Sequence, residues 1–359
     1  MSKKQIHKLY LLTAVGYFLP AGSSWVALLA LRGFSVLEIG LLESIFHIVS
    51  FCFELPSGVI ADVFGRKKAL VLSQVMMLLS GGVMILSDSF GTVALAIGSS
   101  ALSYNLASGT REALAYDSLK KDGNEDAYNR FSSTEMMFYR ITQSAATLCA
   151  GLALWLGYRK AYALDLLFGL VALFIAGSLQ EVMEDTKTKN NSSREQLCEI
   201  VKESWTFLRS NKRARTIMIT NALIGAVSTL VLFFLQAKLP LAGLGGALLG
   251  PALFMMGLGA AAGAKISQYF SGSSYVRMLL ASGVGVLFAF GMTFTGRPYL
   301  MILGGFVGAL SDDFLEVRTD VLLNEMIPSG QRATLISVSS FLFSVVMIVM
   351  STLIGWIMG

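Results

Sequence analysis

Eleven apolar runs, each close to the length that crosses a bilayer, constrain this chain more than any other feature. A helix needs about 20 apolar residues to traverse the hydrocarbon core. The runs fall at roughly 8–31, 38–62, 69–88, 91–119, 131–157, 161–180, 214–237, 244–270, 276–295, 298–325 and 332–358. Lipid offers the backbone no water to bond with, so runs of this length are expected to be helices that satisfy their own amides. Composition enters the argument here. Charged residues make up 14% of the 359 residues, against roughly 25% in a soluble domain, too few to coat a soluble core of this size. Thirty-five glycines fit the close helix packing that lipid demands.

The charges that remain sit mostly between the runs, which argues against nucleic acid as the partner of the net charge of +5. Of 28 Lys and Arg residues, 20 fall on the N-terminal side of the membrane if the ends of the runs alternate, five on the other side and three (Arg111, Arg140, Arg318) within runs. Basic loops stay in the cytoplasm, so the N-terminus is expected inside and Gly359 outside. The basic stretch Met1–Lys8 resembles the start of a signal peptide, but the apolar run behind it is too long and lacks a cleavage pattern. It is read as the first membrane helix. Cys52, Cys149 and Cys198 form no CxxC spacing, so neither a disulfide framework nor a zinc site is indicated.

Most connections are short. The exception, from Glu181 to Arg213, is polar and separates six runs from five. The expected organisation is therefore a six-helix bundle over 1–181, a cytoplasmic linker over 182–213 and a five-helix bundle over 214–359. Within the linker, Leu197, Ile200, Val201 and Leu208 recur at helical spacing, as in an amphipathic helix at the membrane surface. An internal repeat is faint. Tyr116-Asp117-Ser118-Leu119 ends the fourth run and Thr319-Asp320-Val321-Leu322 lies in the tenth, each followed by an Arg (Arg130, Arg332) at the next run. The copies are six runs apart, an even offset that gives them one orientation, as in a parallel repeat.

Between the second and third runs stands Gly58-Val-Ile-Ala-Asp62-Val-Phe-Gly65-Arg66-Lys67-Lys68-Ala-Leu70. Gly58 and Gly65 allow close helix approach and a sharp turn. Asp62 at the membrane edge needs a partner, and Arg66 stands four residues on. A generic cytoplasmic loop needs only basic residues, not an Asp and two glycines at fixed spacing. The run resembles the G-x-x-x-D-x-x-G-R-K-x-x-L signature of the major facilitator superfamily at every defining position. The resemblance implies an all-α integral membrane protein of two pseudo-symmetric helical bundles; the family has twelve helices, and this sequence is expected to hold eleven, without the twelfth. It also implies a cytoplasmic latch of Gly58, Asp62, Gly65, Arg66 and Lys67, with Asp117 as the acid that Arg66 reaches. Glu54-Leu55-Pro56-Ser57-Gly58 looks like the E-x-P-T-G run of one bacterial branch, and Ser108–Ala113 fits the same branch. The chain departs from the proton-antiporter pattern where Asn105 replaces an expected Arg, with Arg111 a turn and a half further on.

An ionisable group in a membrane helix costs about 2.5–3.5 kcal/mol on insertion scales, so each is a functional candidate. Glu43, His47 and Glu54 fall within about 40° of one another on a helical wheel. Arg111, Glu112, Glu135 and Arg140 lie at similar depth and have two of each sign, which fits structural pairing as well as solute or proton binding. The tenth run carries Asp312, Asp313, Glu316 and Asp320 within about 100° of arc, with Arg318 elsewhere; a cluster of carboxylates suits proton uptake and release. The default meaning of the GxxxG spacings Gly259–Gly263 and Gly304–Gly308 is packing. No phosphate loop, HExxH or nucleophile elbow occurs, so an enzyme is not expected, and neither cofactor nor metal.

The expected function is secondary active transport of a small solute by alternating access, coupled to protons and most simply an export. Proton-coupled uptake is the alternative on the same scaffold, and a transport-inactive sensor is the alternative of another class. Eight acids in the runs against three arginines favour cationic or neutral solutes over anions. Glu54, Arg111, Glu112, Asp312, Asp313 and Glu316 are the coupling or solute candidates. A monomer in the inner, cytoplasmic membrane is expected, with lipid, solute and protons as its partners.

Overall fold

The computed structural model describes residues 2–182, 202, 206, 209–270, 272–326 and 332–359, without the side chains of Ser2, Leu55, Asp62, Asn324, Glu325 and residues 332–337. The elements among them are helices, with no strand. In chain order these are α1 (Ser2–Gly16), α2 (Pro20–Ser23), α3 (Trp25–Leu31), α4 (Val36–Phe64), α5 (Arg66–Leu86), α6 (Phe90–Ala107), α7 (Thr110–Lys121), α8 (Tyr128–Leu148), α9 (Ala150–Leu156), α10 (Tyr158–Gly177), α11 (Lys212–Leu241), α12 (Gly246–Ser267), α13 (Tyr275–Met292), α14 (Pro298–Met326) and α15 (Arg332–Met358). The amphipathic helix expected in the linker, and Cys198 with it, lies outside the described residues apart from 202, 206 and 209.

Seven helices among the described residues are long and apolar enough to cross a membrane. The first, fourth and fifth runs depart from that standard because their helices are interrupted, at 17–24, 108–109 and Cys149. The tenth, α14, keeps its length but carries acids within it. The radial order of side chains is that of a protein in lipid. On α10, Ala161, Gly169, Ala172 and Ala176 point inward, whereas Leu167, Leu170, Val171 and Phe174 are exposed, Phe174 by 78%. Large residues at i, i+3, i+4 and i+7 facing outward reverse the soluble pattern. Small residues inside let the backbones approach.

The chain forms two compact units, residues 1–28 with 45–191 and residues 29–44 with 192–359. The first holds its core of Leu9, Leu12, Leu70, Leu114, Phe131 and Leu179 among α1, α5, α7, α8 and α10. In the second, glycines set the packing. A Cβ on Gly259 or Gly263 of α12 would strike the backbone carbonyls of Phe306 or Leu310 on α14. On the other flank of α14, a Cβ on Gly308 would come 2.8 Å from the Ala289 Cβ of α13. Both GxxxG spacings are thus contact surfaces. The start of α4 belongs to this unit as well. Ser44 Oγ meets Ser351 Oγ at 2.6 Å and Thr352 Oγ1 at 2.8 Å, and donates to the Ile348 carbonyl at 2.9 Å on α15.

These contacts separate glycines that pack from glycines that do not. Gly263→Ala should destabilise the protein by about 1–3 kcal/mol, because a backbone carbonyl cannot swing aside. Gly283→Ala on α13, where a Cβ meets nothing within 4 Å, should be neutral or gain up to about 1 kcal/mol of helix propensity. Thermal melting of the two purified variants in detergent checks the contrast.

Candidate functional site

The interruptions of the first unit gather its buried polar groups. The first run breaks between α1 and α2, where Pro20 cannot continue a preceding turn, and the freed amides find a side chain. Asp165 of α10, 7% exposed, accepts from Ala21 N at 3.1 Å and Gly22 N at 2.8 Å. Asp165 is therefore a cap for a broken helix. The fourth run breaks at Ser108 and at Gly109, whose φ of +71° only glycine adopts without strain. Above the break α6 is pinned. Asn105 accepts from Ser50 Oγ at 2.8 Å and donates to the Ser50 carbonyl at 2.7 Å. Asn105 thus ties α6 to α4 rather than presenting a free polar group.

Below the break, α7 carries Arg111 and Glu112 in its first turn and Asp117 six residues further on. Arg111 Nη2 donates to Tyr17 Oη at 2.8 Å, with its guanidinium 4.9 Å from that ring. Its Nε lies 3.2 Å from Glu135 Oε1 of α8, an ion pair without the alignment of a hydrogen bond. The same Glu135 oxygen accepts from Thr13 Oγ1 at 3.0 Å. Glu112 Oε2 is buried and has no hydrogen-bond partner among the described residues. Tyr17 packs edge-on against Tyr139 at 4.7 Å. Arg140, expected among these charges, is exposed and lies 5.8 Å from the Tyr139 ring. A salt-bridged cation, a carboxylate with an open oxygen and two phenols thus meet where two helices are interrupted. Such a place can hold a solute or pass a proton.

At the foot of α7, Arg66 Nη1 bonds Asp117 Oδ2 and donates to the Ala113 carbonyl at 2.7 Å. Gly65 turns the chain with φ +104°. Gly58, expected to allow a close approach, has nothing within 4 Å of where its Cβ would stand, because it lies on an exposed face of α4. The side chain of Asp62 lies outside the described residues. Lys67 contributes its backbone N–H, which donates to Glu181 Oε2 at 3.1 Å. Glu54 is half-buried on α4 and its carbonyl accepts from Ser57 Oγ at 2.8 Å.

In the second unit, Asp312 of α14 lies against α11, with Oδ1 3.5 Å from the Cβ position of Gly225. The charges of Glu316 and Asp313 bear on it. Asp312 and Asp313 are half-buried, whereas Glu316 and Asp320 are exposed. Arg318 is half-buried and its Nε has no hydrogen-bond partner among the described residues. At the adjacent Thr319, Oγ1 meets Tyr275 Oη of α13 at 3.2 Å. Among the described residues no cluster of His, Cys, Asp and Glu has the form of a metal site.

A family model described as Major Facilitator Superfamily matches residues 9–351. The chain belongs to the major facilitator superfamily. It is 25% identical over 337 residues to an uncharacterized MFS-type transporter, YxaM, of Bacillus subtilis (strain 168), covering 91% of this chain and 81% of that one. Among solved structures, the nucleoside transporter NupG superposes with a TM-score of 0.76 at 15% identity, over 98% of this chain and 90% of that one. A D-xylose-proton symporter gives 0.66 at 14% identity, over 98% and 89%. These likenesses show the fold.

As a facilitator-family transporter the chain is a multi-pass membrane protein. Its candidate residues fall into separate groups: Arg111 and Glu112 near the breaks, Arg66 and Asp117 at the foot of α7, and the acids of α14. Thr13, Tyr17 and Glu181 bond to these groups although no motif marks them. Thr13 and Tyr17 were detectable as polar groups four residues apart on one face of an apolar run. The buried ion pair yields a test. Arg111→Met should cost about 3–5 kcal/mol by leaving Glu135 uncompensated, and adding Glu135→Gln should recover much of it. Melting temperatures of the single and double variants check this.

Proposed function

We propose that the protein is a proton-coupled secondary transporter that exports a small, preferentially cationic solute by alternating access. The observation that carries the reading is the acid set of α14, Asp312 with Asp313 and Glu316, set within a helix otherwise rich in apolar residues. Carboxylates that bind either a proton or a cation, but not both, make the two compete for one site. Competition of that kind gives exchange, so an inward proton gradient drives a cationic solute outward. Glu112, with an oxygen open to a donor, is the supporting group in the first unit, and Glu54 is held in reserve.

In this reading Asp62, Arg66 and Asp117 form the latch that closes the cytoplasmic side; the protein sits in the inner membrane with its N-terminus in the cytoplasm, and a single chain is the working unit. Uptake is the second reading. A neutral solute bound beside protonated carboxylates would travel with the proton, and one structural neighbour is a D-xylose-proton symporter.

Asp312→Asn mimics the protonated acid permanently. In proteoliposomes it should abolish accumulation against a gradient while sparing solute exchange at equal concentrations. Asp313→Asn and Glu316→Gln rank the other two acids. Full gradient-driven transport in all three variants would move the coupling site to Glu54.

A further inference from the structure

Glu181 stands just beyond α10, at the first residues of the polar linker, and its carboxylate turns back onto the start of α5. Its Oε1 accepts from Arg66 N at 3.0 Å and its Oε2 from Lys67 N at 3.1 Å. The first turn of α5 carries Arg66, Lys67 and Lys68 and no acid, so the positive end of that helix bears positive side chains. One bidentate carboxylate offsets both. The fit is tight, because a Cβ on Gly65 would collide with the Glu181 carboxylate.

The exit of α10 is itself held. Gln5 Nε2 donates to the Gln180 carbonyl at 2.7 Å, Gln180 N donates to Gln5 Oε1 at 3.1 Å, and Lys8 Nζ donates to the Ser178 carbonyl. The residue whose backbone Glu181 grips is Arg66, whose guanidinium binds Asp117 and the Ala113 carbonyl on α7. A continuous set of bonds therefore runs from α1 through the end of α10 and the start of α5 to the foot of α7.

We infer that Glu181 is a positioning residue of the cytoplasmic latch: it fixes the backbone of Arg66 so that the guanidinium meets Asp117. This rests on the latch reading given above. Free of Glu181, the turn at Gly65 relaxes, the Arg66–Asp117 bond loses its register, and the population shifts toward the form open to the cytoplasm.

The test needs no solute. In a full-length background with Cys52, Cys149 and Cys198 replaced by Ser, Ser108→Cys places one thiol at the exposed break of the fourth run. Its labelling rate by a membrane-impermeant maleimide is measured in inside-out vesicles, with melting temperatures alongside. Asp117→Asn and Glu181→Gln should each raise the rate, on the order of tenfold for a lost charge-assisted bond, and the double variant should raise it no further. If Asp117→Asn leaves the rate unchanged, the latch reading fails. If Asp117→Asn raises it and Glu181→Gln does not, or if the two effects add, the assignment of Glu181 fails. A lowered melting temperature with an unchanged rate would make Glu181 a structural cap only. Gly65→Ala, which drives a methyl group into the carboxylate, should raise the rate as Glu181→Gln does, and less so when Glu181 is already Gln.

Discussion

In hydrocarbon, a backbone amide or a charge without an internal partner has no water to fall back on, and each unpaired group costs several kcal/mol, about the worth of a whole helix contact. The features of this transporter follow from how that demand is met. Where a helix runs unbroken its own ladder suffices, and glycines such as Gly259 and Gly263 bring neighbouring backbones together. Where a helix breaks, another element must supply the bond. Asp165 does so for the amides of Ala21 and Gly22, from a helix 144 residues away in sequence. Where a charge is buried, Glu135 answers Arg111 and takes a further bond from Thr13.

The short helix α7 joins two of these solutions. Twelve residues long, it holds Arg111 of the buried pair with Glu112 next to it, and Asp117 at the Arg66 bond, about 9 Å from Arg111 by helical rise. Gly109 frees it from α6, which Asn105 fastens to α4. In the proposed mechanism, a change in charge state or occupancy at Arg111 and Glu112 acts on the same short helix that carries Asp117, the proposed acid of the latch. The arrangement lies within one compact unit.

Much of this was legible in the sequence because length and hydropathy are local properties. Apolar runs of membrane length, the positive loops and the Gly58–Leu70 signature are each read within a few tens of residues, and the acids of α14 follow from a helical wheel. The breaks were not legible. Ser108-Gly109 carries no proline, and a glycine at a helix packing contact gives the same letters as a glycine at a break. Asn105 read as a departure from an antiporter pattern, since its partner Ser50 is 55 residues away. Glu181 read as the first charge of a linker because its partners, two backbone amides, leave no mark in the sequence. The reach of Arg66 to Asp117 came from the family resemblance, not from spacing.

The proposed coupling makes solute movement and proton movement one event. Purified protein in proteoliposomes enclosing a pH-sensitive dye, offered cationic and neutral solutes in turn, tests it directly. A transported cation should drive protons in the opposite direction, and collapsing the pH gradient should stop its accumulation. Solute transport that leaves the internal pH unchanged and survives collapse of the gradient would contradict proton coupling, and the absence of any solute movement would favour a sensor over a transporter.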